Sequence, residues 1–114
     1  MKRDKSPYYS IVVPIHNEEE SLVPLFAKIV EVMEAGEWEF EIVFVDDAST
    51  DGSSLLLEQI STLDSRVIVI QLRRNFGQTA ALAAGFDHAR GEVIISMDGD
   101  FQHDPAEKPA RNEG

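Results

Sequence analysis

The chain contains no cysteine, which excludes disulfides and thiolate metal sites and is compatible with a reducing compartment. Cations are scarce: 10 lysines and arginines stand against 21 aspartates and glutamates, a formal net charge of −11. No basic stripe is available to displace counterions from a phosphate backbone, which argues against a nucleic-acid partner. The same balance argues against an anionic membrane surface. No apolar run is long enough to span a bilayer, and the charged start Met1-Lys2-Arg3-Asp4-Lys5 precedes too short an apolar segment for a signal peptide. The cytoplasm is the default location. Glycine is missing from the loop Pro14-Ile15-His16-Asn17-Glu18. Without a Gly-rich turn to hold a pyrophosphate on a helix N-terminus, a dinucleotide-binding oxidoreductase is disfavoured, although Asp46 and Asp47 sit where such a domain places its ribose-binding acid.

At 114 residues one domain is expected. Tyr8 to Ile15 reads as a strand, with Pro14 near its end where a missing N–H costs least. Asn17 is the expected cap of a helix whose first turn holds Glu18, Glu19 and Glu20, followed by Leu22, Leu25, Phe26, Ile29, Val30 and Met33 at helical spacing and closed by Gly36. Phe40 to Val45 reads as the second strand, and a helix carrying Leu55, Leu56 and Ile60 follows. Arg66 to Leu72 is the third strand, an alanine-rich helix runs from Gln78 to Ala89 with Gly91 as its stop, and Val93 to Met97 is a buried fourth strand. Strands without clean alternation, each separated by a helix, indicate a doubly wound α/β fold with a mainly parallel sheet and helices on both faces. The expected divisions are a tail over 1–7, a domain over 8–105 and an irregular tail over 106–114. With strand order 3-2-1-4, ligands bind beyond the carboxyl ends of strands one and four. Pro14 to Glu18, Asp46 and Asp47, and Asp98-Gly99-Asp100 then converge on one edge.

Asp98 and Asp100 end an apolar strand, and two like charges so close invite a hard divalent cation, with Gln102 able to add a neutral oxygen. Gly99 permits close backbone approach. Asp-Gly-Asp is equally good turn chemistry, and Asp46 to Gly52 also reads as an Asx-type loop with a helix cap. His16, lacking a cysteine or helical histidine partner, reads as a stacking or packing group rather than a zinc ligand. His103 is ambiguous and His88 reads as a helix surface residue. Arg73 and Arg74 suit either a salt bridge to the acidic loops or a contact to base or phosphate. The alanines and Gly85 of the third helix read as close packing on the sheet. A phosphotransfer receiver would need its acidic pair after strand one and a late lysine, and neither is present.

The ordered motifs Val13-Pro14-Ile15-His16-Asn17-Glu18, Val45-Asp46-Asp47-Ala48-Ser49-Thr50-Asp51-Gly52, Arg74-Asn75-Phe76-Gly77 and Asp98-Gly99-Asp100-Phe101-Gln102-His103 resemble family 2 glycosyltransferases of the GT-A fold, in the branch making polyprenyl-phosphate sugars. The resemblance covers Tyr8 to Pro105 and implies a Rossmann-like nucleotide-binding half. It implies that Pro14, His16 and Glu18 line the nucleotide pocket and that Val45 and Asp47 contact base or ribose. Arg74 is a further nucleotide contact. Asp98 and Gly99 face the nucleotide sugar, while Asp100 and Gln102, with Asp98, hold Mg²⁺ or Mn²⁺ against the diphosphate. Asp98 and Asp100 are thus the expected catalytic pair. The implied activity is inverting transfer from a UDP- or GDP-sugar to a polyprenyl (dolichyl or undecaprenyl) phosphate at the cytoplasmic face of a membrane. Members of this family continue into an acceptor-binding half, so the chain reads as their donor-binding portion; a non-catalytic nucleotide-binding or interaction module is the alternative. An uncovered sheet edge would favour homo-oligomers.

Overall fold

Two runs of β-branched and aromatic residues, β1 (Tyr9–Ile15) and β2 (Phe40–Asp46), form the centre of the sheet in the computed structural model, which describes residues 7–97. Both are covered on both faces, which is why neither alternates in polarity. Helix α1 (Glu19–Ala35) joins them, α2 (Ser53–Leu63) leads to β3 (Val67–Gln71), and α3 (Gln78–His88) leads to β4 (Val93–Ser96). The strands pair in parallel in the order β3-β2-β1-β4, as the sequence pattern predicts. The tail boundaries and Asp98, Gly99, Asp100, Gln102 and His103 lie outside the described residues.

The order reverses at β1, so the crossover from β3 to β4 packs on the face opposite the first two. On one face α1 and α2 cover Ile11, Val13, Ile15, Ile42 and Phe44. On the other, α3 covers Val12, Val43 and Val45 through Ala81. Helix α1 buries Leu22, Leu25, Ile29 and Met33, the expected stripe, with Phe26 and Val30 at its flank. Gly85 lies so close to the sheet that an added Cβ would stand 2.3 Å from Val12 Cγ1. That contact explains the small residues of α3.

Several local expectations are corrected. The helix α1 ends in a Schellman motif, with Trp38 N–H donating to Met33 O (3.2 Å) and Glu37 N–H to Glu34 O (3.0 Å). Gly36 closes α1 as expected, but as a right-handed cap; the left-handed position is Glu37 (φ 59°). Glycine at 36 gives the Trp38 ring its place, because a Cβ there would stand 2.5 Å from that ring and displace it. In α2 the inward residues are Leu57 and Ile60, whereas Leu55 is exposed; a run of three leucines does not reveal its own phase. Helix α3 is capped at Ala89, before Gly91. Strand β4 is not a buried strand: it lies at the edge of the described sheet, with Val93 37% and Ile94 42% exposed.

At the amino end of the sheet, the buried Glu41 carboxylate accepts from Ser10 Oγ (2.6 Å), the Arg90 backbone N–H (2.8 Å) and the Arg90 guanidinium (3.2 Å). A buried charge is tolerated only with such partners. Arg66 lies over the Phe40 ring at 4.5 Å and pairs with Asp64 (2.9 Å) and Glu34 (3.1 Å). These contacts tie connections together at the end opposite the loops described next.

Candidate functional site

Alternation along β2 sends neighbouring aspartates to opposite faces of the sheet. Asp46 stays on the α1 and α2 side, buried, with Oδ1 accepting from Ser49 N–H at 3.0 Å. Asp47 turns to the α3 side, where Oδ1 accepts from Phe76 N–H (2.8 Å) and Oδ2 from Gly77 N–H (2.9 Å). Only Asp47 therefore lines the crevice that the sequence pattern assigns to both.

Asn17 does not cap its own helix; Glu18 occupies that position. Asn17 is left-handed (φ 55°), a conformation asparagine accepts more readily than most residues. Its Oδ1 accepts from Thr50 N–H (2.7 Å) and Asp51 N–H (3.2 Å), and its own N–H donates to Ser49 Oγ (3.0 Å). The return contacts are equally specific. Glu18 N–H donates to Ser53 Oγ (3.0 Å) and Glu19 N–H to Asp51 Oδ2 (3.2 Å). Gly52 N–H donates to Glu19 Oε1 (3.0 Å) and Ser53 N–H to Asp51 Oδ1 (2.9 Å). Gly52 leaves room for this, since a Cβ there would stand 2.7 Å from the Glu19 carboxylate. Asp51 thus accepts from the first N–H of α1 as well as of α2, and Glu19 of α1 accepts from the Gly52 N–H at the start of α2, satisfying donors that a helix start leaves open. Burial acts to raise the Asp51 carboxyl and is its largest influence, but hydrogen bonds from Ser53 and Glu19 together hold it below the usual carboxylate range.

Side chains thus accept from the Glu18, Glu19, Gly52 and Ser53 N–H groups at the starts of α1 and α2, while an open cavity of about 610 Å³ lined by Asn17, Glu18, Glu19, Glu20, Ser21 and Asp51 lies over the start of α1. A diphosphate bound to those four N–H groups would displace these bonds, in keeping with the glycine-free first loop.

A cleft of about 220 Å³ opens beside this interlock, lined by Pro14, Ile15, His16, Glu18, Asp47, Asn75, Gly77 and Gln78. His16 Nδ1 lies 2.7 Å from the Asp47 carbonyl oxygen, so that nitrogen carries the ring proton. Asn75 Nδ2 is 3.1 Å from both ring nitrogens, which places the amide across the ring. The Arg74 guanidinium lies over the Phe76 ring at 5.4 Å, without a carboxylate pair among the described residues. The salt-bridge expectation for Arg73 and Arg74 is not realised there.

Of the residues expected to meet nucleotide, Pro14, His16, Glu18 and Asp47 are brought together at this cleft. Val45 is not. It is fully buried between Val12, Val43 and Ala81, because its parity on β2 points it under α3. Asn75, Gly77 and Gln78 also line it; the motif Arg74-Asn75-Phe76-Gly77 is the sequence signal for the first two, and Gln78 carries none. Among the described residues no group of three histidine, aspartate or glutamate side chains converges to hold a metal. Strand β4 runs parallel to β1, with Met97 N–H donating to Val12 O at 3.0 Å. The next residue in the sequence is Asp98, and the set Asp98, Asp100 and Gln102 offers hard oxygen donors suited to Mg²⁺ or Mn²⁺.

Comparison with known proteins decides the family: the model for Glycosyl transferase family 2 matches residues 10–110. The chain belongs to glycosyl transferase family 2. An undecaprenyl-phosphate 4-deoxy-4-formamido-L-arabinose transferase of Proteus mirabilis is 43% identical over 101 residues, covering 88% of this chain and 31% of that protein. A dodecaprenyl-phosphate galacturonate synthase of Rhizobium johnstonii is 42% identical over 102 residues, covering 89% and 30%. The chain thus spans just under a third of the length of these relatives. Among solved structures, a Pyrobaculum calidifontis mannosyltransferase in complex with GDP-Man and Mn²⁺ superposes with a TM-score of 0.72 at 25% identity, over 84% of this chain and 28% of the other. S. aureus TarS in complex with UDP superposes with a TM-score of 0.68 at 26% identity, over 81% and 27%. The family 2 fold is therefore the parallel α/β sheet described above. Among the described residues no helix is long and apolar enough to cross a membrane.

Proposed function

We propose that this chain is the donor-binding portion of a metal-dependent inverting glycosyltransferase that moves a sugar from a UDP- or GDP-sugar to polyprenyl phosphate. The observation that carries the reading is the convergence of Pro14, His16, Glu18 and Asp47 on one cleft at the carboxyl edge of a family 2 sheet. Relatives named for undecaprenyl-phosphate and dodecaprenyl-phosphate products support the acceptor class.

In this reading the ribose and base enter beside His16, whose ring is held by the Asp47 carbonyl, and the Asp47 carboxylate and Arg74 lie within the same group of loops. Side chains already occupy the first N–H groups of α1 and α2, so a diphosphate here would rely on a metal for charge balance. Asp98, Asp100 and Gln102 would hold Mg²⁺ or Mn²⁺, which when bound offsets charge on the departing nucleoside diphosphate. Asp98 and Gly99 face the sugar. An acceptor phosphate oxygen forms the new bond to the anomeric carbon from the face opposite the diphosphate, whose bond to that carbon breaks. That oxygen is already ionised at neutral pH and needs little help from a general base. The setting is the cytoplasmic face of a membrane.

The test is calorimetric titration of the purified chain with UDP and GDP, in Mg²⁺ or Mn²⁺ and again with EDTA, with Asp100→Ala as control. The expected result is metal-dependent binding lost in the variant. Equal binding with EDTA, or none in a folded sample, would overturn the reading.

A further inference from the structure

The loops at the carboxyl edge close a ring: β1–α1 holds β2–α2 through Asn17, β2–α2 holds β3–α3 through Asp47, and β3–α3 returns to β1–α1 through Asn75 on His16. Asp47 makes more of these bonds than a ligand contact requires. Its N–H donates to Ile15 O at 2.8 Å, its carbonyl accepts from His16, and both carboxylate oxygens accept backbone N–H groups of the third loop. Its side chain is buried, while Asn75 and Phe76 are exposed. An exposed loop thus has its two amides fastened to a charge inside the protein. Gly77, at φ 99°, makes the turn that presents both amides to one carboxylate.

We propose that Asp47 is a positioning residue, holding the 75–77 segment so that Asn75 lies across His16 as a wall and contact of the ligand cleft. The ligand consequence rests on the donor-binding reading, but the loop consequence does not. Bonds from N–H groups to an ionised carboxylate are the stronger class. Asparagine at 47 keeps one accepting oxygen and turns an N–H₂ donor toward a second donor, so at least one bond is lost.

The experiment is amide hydrogen exchange on the purified chain without ligand, followed by UDP and GDP titration, for wild type, Asp47→Asn and Asn75→Ala. In wild type the Phe76 and Gly77 amides should be protected well beyond the neighbouring Arg74 amide, although all three lie in a loop. Absence of that protection overturns the proposal without any variant. In Asp47→Asn their exchange should rise about tenfold to a hundredfold, with β1 and β2 amides unchanged, and nucleotide affinity should fall. Asn75→Ala should lower affinity about tenfold while Phe76 and Gly77 stay protected. Affinity lost in Asp47→Asn with exchange unchanged would make Asp47 a ligand contact alone and refute positioning. Faster exchange with affinity unchanged would refute its importance to the site. Failure of the folded wild type to bind any nucleotide would refute the donor reading, while the exchange result would still decide the loop.

Discussion

Asn17 offers a way to separate two contributions of one residue, its hydrogen bonds and its backbone conformation. Its Oδ1 accepts from two backbone amides at 2.7 and 3.2 Å and from Thr50 Oγ1 at 3.3 Å, and its φ is 55°. Asn17→Gly keeps the left-handed turn free of strain and removes all three bonds. At about 1 kcal/mol per backbone bond, reduced because these exposed amides can turn to water, a loss of about 1–2 kcal/mol is expected. Asn17→Ala removes the same bonds and adds about 1 kcal/mol for a left-handed Cβ residue, giving about 2–3 kcal/mol. Asn17→Asp keeps the acceptor and should lie nearest wild type, set back by its acidic neighbours. Urea unfolding followed by circular dichroism reads all three, with nucleotide titration in parallel, since flanking His16 and Glu18 are set by the same turn. Equal stabilities for Gly and Ala would refute the conformational part. A glycine variant as stable as wild type would refute the interlock.

Three further perturbations probe other parts of the fold. Glu37→Gly places glycine at the left-handed position of the Schellman motif (φ 59°) and should raise the urea midpoint by about 0.5–1 kcal/mol of stability; a loss would contradict the assigned turn. Gly85→Ala drives a Cβ to 2.3 Å from Val12 Cγ1 and 3.1 Å from Val45 Cγ2. The overpacking, about 1–3 kcal/mol, outweighs a helix-propensity gain of about 1 kcal/mol, so a net destabilisation is expected in the same assay. The hydrogen bond from Arg66 holds the Asp64 carboxyl below its usual range. A depressed folded value stabilises above the unfolded one, near pH 4, and that contribution disappears as pH falls through the folded value. Asp64→Asn should therefore flatten part of the acid slope, by less than about 1 kcal/mol for a pair this near the surface, and an unchanged slope would count against the pair.

Much of the architecture was legible in the residues. The unbroken apolar runs of β1 and β2, the helical spacing from Leu22 to Met33, and the small residues of α3 each report a local period or volume. Those are properties of neighbouring positions along the chain, so they survive without a structure. The four ordered motifs also placed the crevice at the carboxyl edge. What spacing could not show was phase at close range: that Leu57 rather than Leu55 faces inward, or that Asp46 and Asp47 part to opposite faces. It also could not show that Val45 lies under α3.

The sequence by itself determined the class of sheet, its helices and the family to which the chain belongs, because patterning and motif order are written locally. Tertiary structure alone decided that Asn17 holds the Thr50 and Asp51 amides of another loop, that Asp47 holds Phe76 and Gly77, and that Asn75 meets His16. These partners stand 29 to 59 positions apart along the chain. The pattern brings these loops to one edge, but which side chain meets which amide there depends on register and loop conformation, which no local pattern encodes.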